Sequence, residues 1–126
     1  MREIALKKVA LVLTGCGHKD GSEITEVVSS MIALSEFGAE YSCFAPNREV
    51  VVTNHLIDDP MSERRNMMVE AARIARGQIA PLTELNSHEF DALIIPGGMG
   101  AVLHLSTWAA YGAKGKVEDE SGEENS

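Results

Sequence analysis

Apolar positions follow two different periods along this chain, and the change from one to the other marks its elements. Val9-Ala10-Leu11-Val12-Leu13 is unbroken, bounded by Lys8 and by Thr14-Gly15, the pattern of a strand buried on both faces as in parallel sheets. Gly15, Gly17 and Gly21 punctuate the loop that follows. Beyond it, Ile24, Val27, Val28, Met31, Ile32 and Leu34 recur at three- and four-residue intervals, which predicts an amphipathic helix capped by Ser22 and ended by Gly38. Glu40 to Ala45 is β-prone and stops at Pro46. Strand, loop, helix and strand make one right-handed βαβ unit, so the sheet is expected to be parallel.

Val50-Val51-Val52 predicts a short additional strand. Asp58-Asp59-Pro60 then breaks the chain before a predicted helix over 62–76, closed by Gly77, with Met68, Val69, Ala72 and Ile74 toward the core. Ala92-Leu93-Ile94-Ile95 is a second buried-strand run, ending in Pro96-Gly97-Gly98, and 103–110 has helical potential. From Lys114 the composition turns acidic, with no apolar residue after Val117. The domain is therefore assigned to 1–115, and 116–126 to an acidic disordered tail.

Charge narrows the function classes. Net charge is -8, and five acidic groups lie among the last nine residues, so the body is only mildly acidic. No basic stripe appears; Arg64, Arg65, Arg73 and Arg76 have the spacing of a solvated helix face. Nucleic acid is excluded as an expected partner on that ground. No apolar run approaches the ~20 residues that span a bilayer, and the N-terminus lacks a signal peptide's apolar stretch, so no membrane contact and a cytoplasmic address are expected. Cys16 and Cys43 are the only cysteines, too few for a disulfide framework or a four-ligand zinc site, and both are expected reduced. No metal and no cofactor is implied.

Two strands end in glycine-rich turns, Thr14-Gly15-Cys16-Gly17 and Pro96-Gly97-Gly98-Met99-Gly100. In an open parallel sheet, ligands bind beyond the strand C-termini, where loops and helix N-termini converge. The alternative is that the glycines only permit tight strand-to-helix turns. Nucleotide motifs fail on spacing: Asp20 stands where a dinucleotide fingerprint needs its third glycine, and Lys19 precedes Gly21 where a phosphate loop needs Gly-Lys-Ser/Thr. A nucleotide binder survives only as a fold-level analogy. Glu23 and Glu26 are three apart near the helix start and share a face, a placement that also simply complements the helix dipole.

Taken in order, Gly15-Cys16-Gly17, Asp20-Gly21-Ser22-Glu23, Cys43-Phe44-Ala45-Pro46, Asn54-His55, Arg65-Asn66, Ala72-Arg73-Ile74-Ala75-Arg76-Gly77 and Pro96-Gly97-Gly98-Met99-Gly100-Ala101 resemble the ElbB-like (enhancing lycopene biosynthesis protein-like) branch of the PfpI superfamily, over about Lys8 to Glu120. The resemblance implies an α/β, flavodoxin-like doubly wound parallel sheet of the class I glutamine amidotransferase-like kind, and glyoxalase-type conversion of small 2-oxoaldehydes such as glyoxal and methylglyoxal to hydroxy acids. It implies that a strand-to-helix cysteine attacks the aldehyde, that a glutamate of the first helix poises the thiol, and that a glycine N–H holds the oxyanion. Glu26 matches the poising glutamate with Glu23 as its neighbour, and Gly98 matches the oxyanion glycine. His55 matches a family position to which no role is assigned.

The nucleophile belongs beyond the Pro-Gly-Gly turn, where this chain has its acidic stretch; no cysteine follows Cys43. The fold is thus expected to be incomplete in its C-terminal half and inactive alone. The family's histidine beside that cysteine is missing too, and His88 and His104 are assigned to the surface. Cys16, at the end of strand one and near a helix N-terminus expected to lower its pKa, is either a substitute nucleophile or a small residue required by its loop; Cys43 is assigned to the core. Ala92 to Ile95 is expected to present an unpaired edge that joins a second copy or a complementing chain. The alternative function is a non-catalytic binding or interaction module.

Overall fold

The computed structural model describes residues 6–105. The expected acidic tail at 116–126 and the helical potential at 106–110 lie outside the described residues.

Strand β1 (Lys8–Val12) is the apolar run, and its last four residues are buried. The loop after it leads into α1 (Ile24–Glu36), then β2 (Glu40–Ala45), which pairs with β1 in parallel from Lys8↔Glu40 to Val12↔Phe44. The βαβ unit stands as expected, but its cap does not. Glu23, not Ser22, accepts from the Glu26 N–H, while the Ser22 hydroxyl is buried and accepts from the Thr14 N–H at 2.9 Å. A buried backbone donor has no water as an alternative partner, so it takes the hydroxyl, and the longer Glu23 side chain reaches back to the helix.

Val50 to Val52 lies in β3 (Glu49–Asn54), which forms a two-stranded antiparallel hairpin with β4 (Asp59–Asn66). The helix expected over 62–76 is therefore shorter: α2 spans Met67–Ala75. Asn66 caps it through a bond from the Val69 N–H at 2.9 Å, and the Met67 N–H donates instead to the Arg48 carbonyl. Residues 59–66 have one apolar side chain, Met61, and so no helical stripe to bury; pairing with the valine-rich strand satisfies their backbone instead. Arg64 and Arg65 consequently lie on a strand rather than on a helix face. After α2, β5 (Ile79–Pro81) adds a third parallel strand on β2.

Strand β6 (Ala92–Ile94) returns to pair with β1 in parallel, giving the order β5-β2-β1-β6. Helices α1 and α2 cover one face, with Val27, Ala71 and Ala75 packed on Leu11, Leu13, Cys43 and Ala45; Cys43 is core as expected. Segment 82–91, with single 3₁₀ turns at Leu82–Glu84 and Ser87–Glu89, crosses the other face, where Phe90 meets Phe44 edge-on with centroids 5.6 Å apart. Helix α3 (Met99–Leu105) follows β6, starting four residues before the predicted helical stretch. His88 is exposed as expected. No helix among the described residues is long and apolar enough to cross a membrane.

Candidate functional site

Chain order gives the site its place. From β1 the chain runs outward through β2 to β5, then doubles back to β6 on the opposite side of β1, so the loops leaving β1 and β6 meet at a topological switch point, the crevice position of open parallel sheets beyond the strand ends. Both glycine-rich turns lie at that end of the sheet and touch each other.

The two turns interlock through backbone. Glu23 N–H donates to the Gly97 carbonyl at 2.7 Å, Met99 N–H to the His18 carbonyl at 2.8 Å, and Gly100 N–H to the Gly21 carbonyl at 3.0 Å. Contact is close enough that side chains are excluded: a Cβ on Gly98 would lie 2.5 Å from the Gly21 oxygen and 2.6 Å from the Glu23 nitrogen. Gly98 also has φ +122°, where an L side chain is strained. Among the described residues its N–H meets no acceptor, whereas those of Met99 and Gly100 do.

Glu26 reaches across from α1. A Cβ built on Gly97 would stand 2.7 and 3.0 Å from its two carboxylate oxygens, so the carboxylate is seated against the peptide preceding Gly98 and is otherwise exposed. Glu23 is tied into the helix cap. The structure thus brings Glu26, Glu23 and Gly98 together where the two turns meet.

Cys16 is held apart from them, in a second small cleft of about 100 Å³ between its own loop, the hairpin and α2, lined by Asp20, His55, Met61, Arg65 and Glu70 among others. Burial pushes its thiol up from the ordinary value, reinforced by the negative charge of Glu70 and then Asp20, with Arg73 opposing. This corrects the expectation that a helix N-terminus lowers it: the charges acting on the sulfur are those of α2 and its own loop. Glu70 itself is clamped by Arg65 at 3.1 Å and Arg73 at 3.1 Å. Iodoacetamide is expected to label Cys16 more slowly than a free thiol at neutral pH and to gain rate as pH rises past the usual thiol range, because the thiolate is the nucleophile. Glu70→Gln, by removing the raising charge, should speed labelling at fixed pH; wild-type labelling at the rate of a free thiol would contradict the assignment.

Sequence patterns missed the contact set of the hairpin turn. Thr53 N–H donates to Asp20 Oδ2 at 2.5 Å and Lys19 N–H to His55 Nε2 at 3.1 Å, across 33 and 36 residues respectively. Among the described residues, no cluster of three or more His, Cys, Asp or Glu side chains is arranged to hold a metal ion.

The chain is 46% identical over 115 residues to the rat ES1 protein homolog, mitochondrial, covering 90% of the chain and 43% of the relative. It is equally identical over 115 residues to the human glutamine amidotransferase-like class 1 domain-containing protein 3, mitochondrial, with the same coverage. A crystal structure of an isoprenoid biosynthesis protein with amidotransferase-like domain from Ehrlichia chaffeensis superposes with a TM-score of 0.78 at 43% identity, over 82% of this chain and 48% of that one. The chain is thus similar to part of proteins named for a class I glutamine amidotransferase-like domain, and its α/β sheet has that fold. No family model matches it. It spans less than half the length of these relatives. The cytoplasmic expectation is overturned: these two curated relatives, and the zebrafish ES1 protein at 39% identity, are all named mitochondrial. An N-terminal pattern without an apolar stretch speaks only against secretion, because mitochondrial targeting segments are amphipathic and carry no such stretch.

Proposed function

We propose that these residues form the acid–base and oxyanion half of an ElbB-like glyoxalase site for small 2-oxoaldehydes, whose nucleophilic cysteine comes from polypeptide outside the 126 residues. One observation carries it: the Glu26 carboxylate rests against the peptide that leads into Gly98, whose N–H meets no acceptor among the described residues. A carboxylate able to take a thiol's proton and an N–H aimed at a developing oxyanion are what thiol addition to an aldehyde requires. Attack forms the C–S bond, and the carbonyl electrons move to oxygen, where Gly98 N–H stabilises the charge. The net conversion adds one water to the 2-oxoaldehyde to give a 2-hydroxy acid, without an external oxidant or cofactor.

The test is consumption of glyoxal and methylglyoxal by the purified chain, alone and co-expressed with the polypeptide that follows the matched region in the rat relative. Turnover is expected only in the complemented sample. Glu26→Gln there should lower kcat/KM by about 10²- to 10⁴-fold, the usual worth of a positioned acid–base group. Complementation without turnover would favour the non-catalytic module, and turnover that survives Glu26→Gln would take the carboxylate out of the mechanism.

A further inference from the structure

His55, at the turn of the β3–β4 hairpin, is bonded through both ring nitrogens. Nδ1 lies 3.0 Å from the Thr53 carbonyl oxygen, and Nε2 lies 3.1 Å from the Lys19 backbone nitrogen. A carbonyl only accepts and a backbone N–H only donates, so Nδ1 carries the proton and Nε2 is bare. The two bonds together specify the neutral imidazole in one tautomer. A second proton would enter at Nε2 and turn it from acceptor to donor, leaving the Lys19 N–H facing another N–H. Asp20 Oδ1 stands 3.9 Å from the same nitrogen, on a side chain only 10% exposed. A carboxylate oxygen can accept more than one bond, and a charge this sheltered is weakly screened.

We propose that His55 is a pH-operated latch between the hairpin and the loop that carries Cys16: neutral, it holds the Lys19 amide, and protonated, it releases that amide and turns to Asp20. The groups facing the ring come from three directions. Asp20 and Lys19 belong to the loop, and Asp58 enters from the turn through its 3.0 Å pair with Lys19. Across the shared cleft lie Cys16, Arg65 of β4 and Glu70 of α2. The loop cannot follow the ring passively, because Gly17 already lies against it: a Cβ there would stand 3.3 Å from the imidazole and 2.7 Å from Asp20 Oδ1. Release also reaches the crevice, since the next residue back from Lys19, His18, holds the Met99 N–H through its carbonyl.

A ¹H–¹⁵N and ¹H–¹³C NMR titration of the full chain from about pH 8 to about pH 5, the range in which imidazoles change charge, tests this. The Lys19 amide should lose protection from exchange about fivefold, the loss of one ordinary net hydrogen bond, in step with the His55 ring signal and with one shared midpoint. Asp20→Asn should move both midpoints down together by removing the negative charge that favours the charged ring. A ring that titrates while Lys19 protection stays constant overturns the proposal, as does a Lys19 amide that responds only in the carboxylate range with Asp58. The wild-type titration decides the matter even if the Asp20 variant fails to fold.

Discussion

Gly100→Ala is expected to destabilise the chain by about 3 kcal/mol or more, the upper end of what overpacking costs, whereas Gly77→Ala should cost about 1 to 2 kcal/mol, the strain of a left-handed residue. Both are glycines near a turn, and their surroundings set the difference. A Cβ on Gly100 would fall 2.2 Å from Gly21 Cα, 2.3 Å from its carbonyl carbon and 2.5 Å from its nitrogen. These are all backbone atoms, with no flexible side chain to swing aside. Gly21 has little room to retreat either, since a Cβ built on it would already lie 2.7 Å from the Cys16 nitrogen and 3.0 Å from the Thr14 oxygen. Separating the two loops would break the Gly100 N–H bond to the Gly21 carbonyl and draw Gly97 away from Glu23 and Glu26. Around Gly77 nothing lies within 4 Å, so only its φ of +80° resists a side chain. Against the roughly 5–15 kcal/mol that holds a domain together, the first change should lower the midpoint of the urea transition, followed by circular dichroism, much further than the second. Equal midpoints for the two variants would mean that the glycine clasp does not hold the crevice.

That clasp also shows where the sequence was informative. Strand β1 was legible because its apolar residues are continuous, and α1 because of its period, although of that stripe only Val27 is fully buried while Ile24, Val28 and Ile32 are largely exposed. Strand β4 was not legible: its stability comes from backbone pairing with β3, and its side chains, Met61 apart, carry no pattern that announces it. Strand β5 is three residues ending in proline, too short for a period to register. Ser22 was misassigned because a hydroxyl can cap a helix or satisfy a buried N–H, and Thr14, the partner that decides, is brought to it by the fold of the intervening loop. The proximity of Glu26 to Gly97 was not legible from spacing, since α1 and the turn after β6 are far apart in the chain; only a family resemblance named Glu26 and Gly98 together. The bonds from Lys19 to His55 and from Thr53 to Asp20 were invisible for the same reason. Each is a single bond between side chain and backbone across more than thirty residues, and composition does not encode that.

The purified chain is expected to self-associate, and Leu93→Lys combined with Ile95→Lys to return it toward monomer. Among the described residues β6 is bonded to β1 on one side and to no strand on the other, so its outer edge offers unpaired N–H and C=O groups for strand addition. Side chains add to the attraction: Leu93 is 55% and Ile95 47% exposed, and Met99 and Leu103 continue the apolar surface into α3. Proteins guard such edges with lysine, because a charge brought into a new sheet interface must lose its water. The double substitution supplies that guard where both side chains are already half in solvent, so it should cost the fold little. Leu56→Lys, at the hairpin tip where Leu56 is 91% exposed, is the control: if association ran through any exposed apolar residue, it too would lower the apparent mass, and if it runs through the β6 edge, it would not. Sedimentation velocity over a range of concentrations separates these cases. An oligomer that persists in the double-lysine chain, or a wild-type chain that stays monomeric throughout, would show that this edge is not the surface through which copies meet.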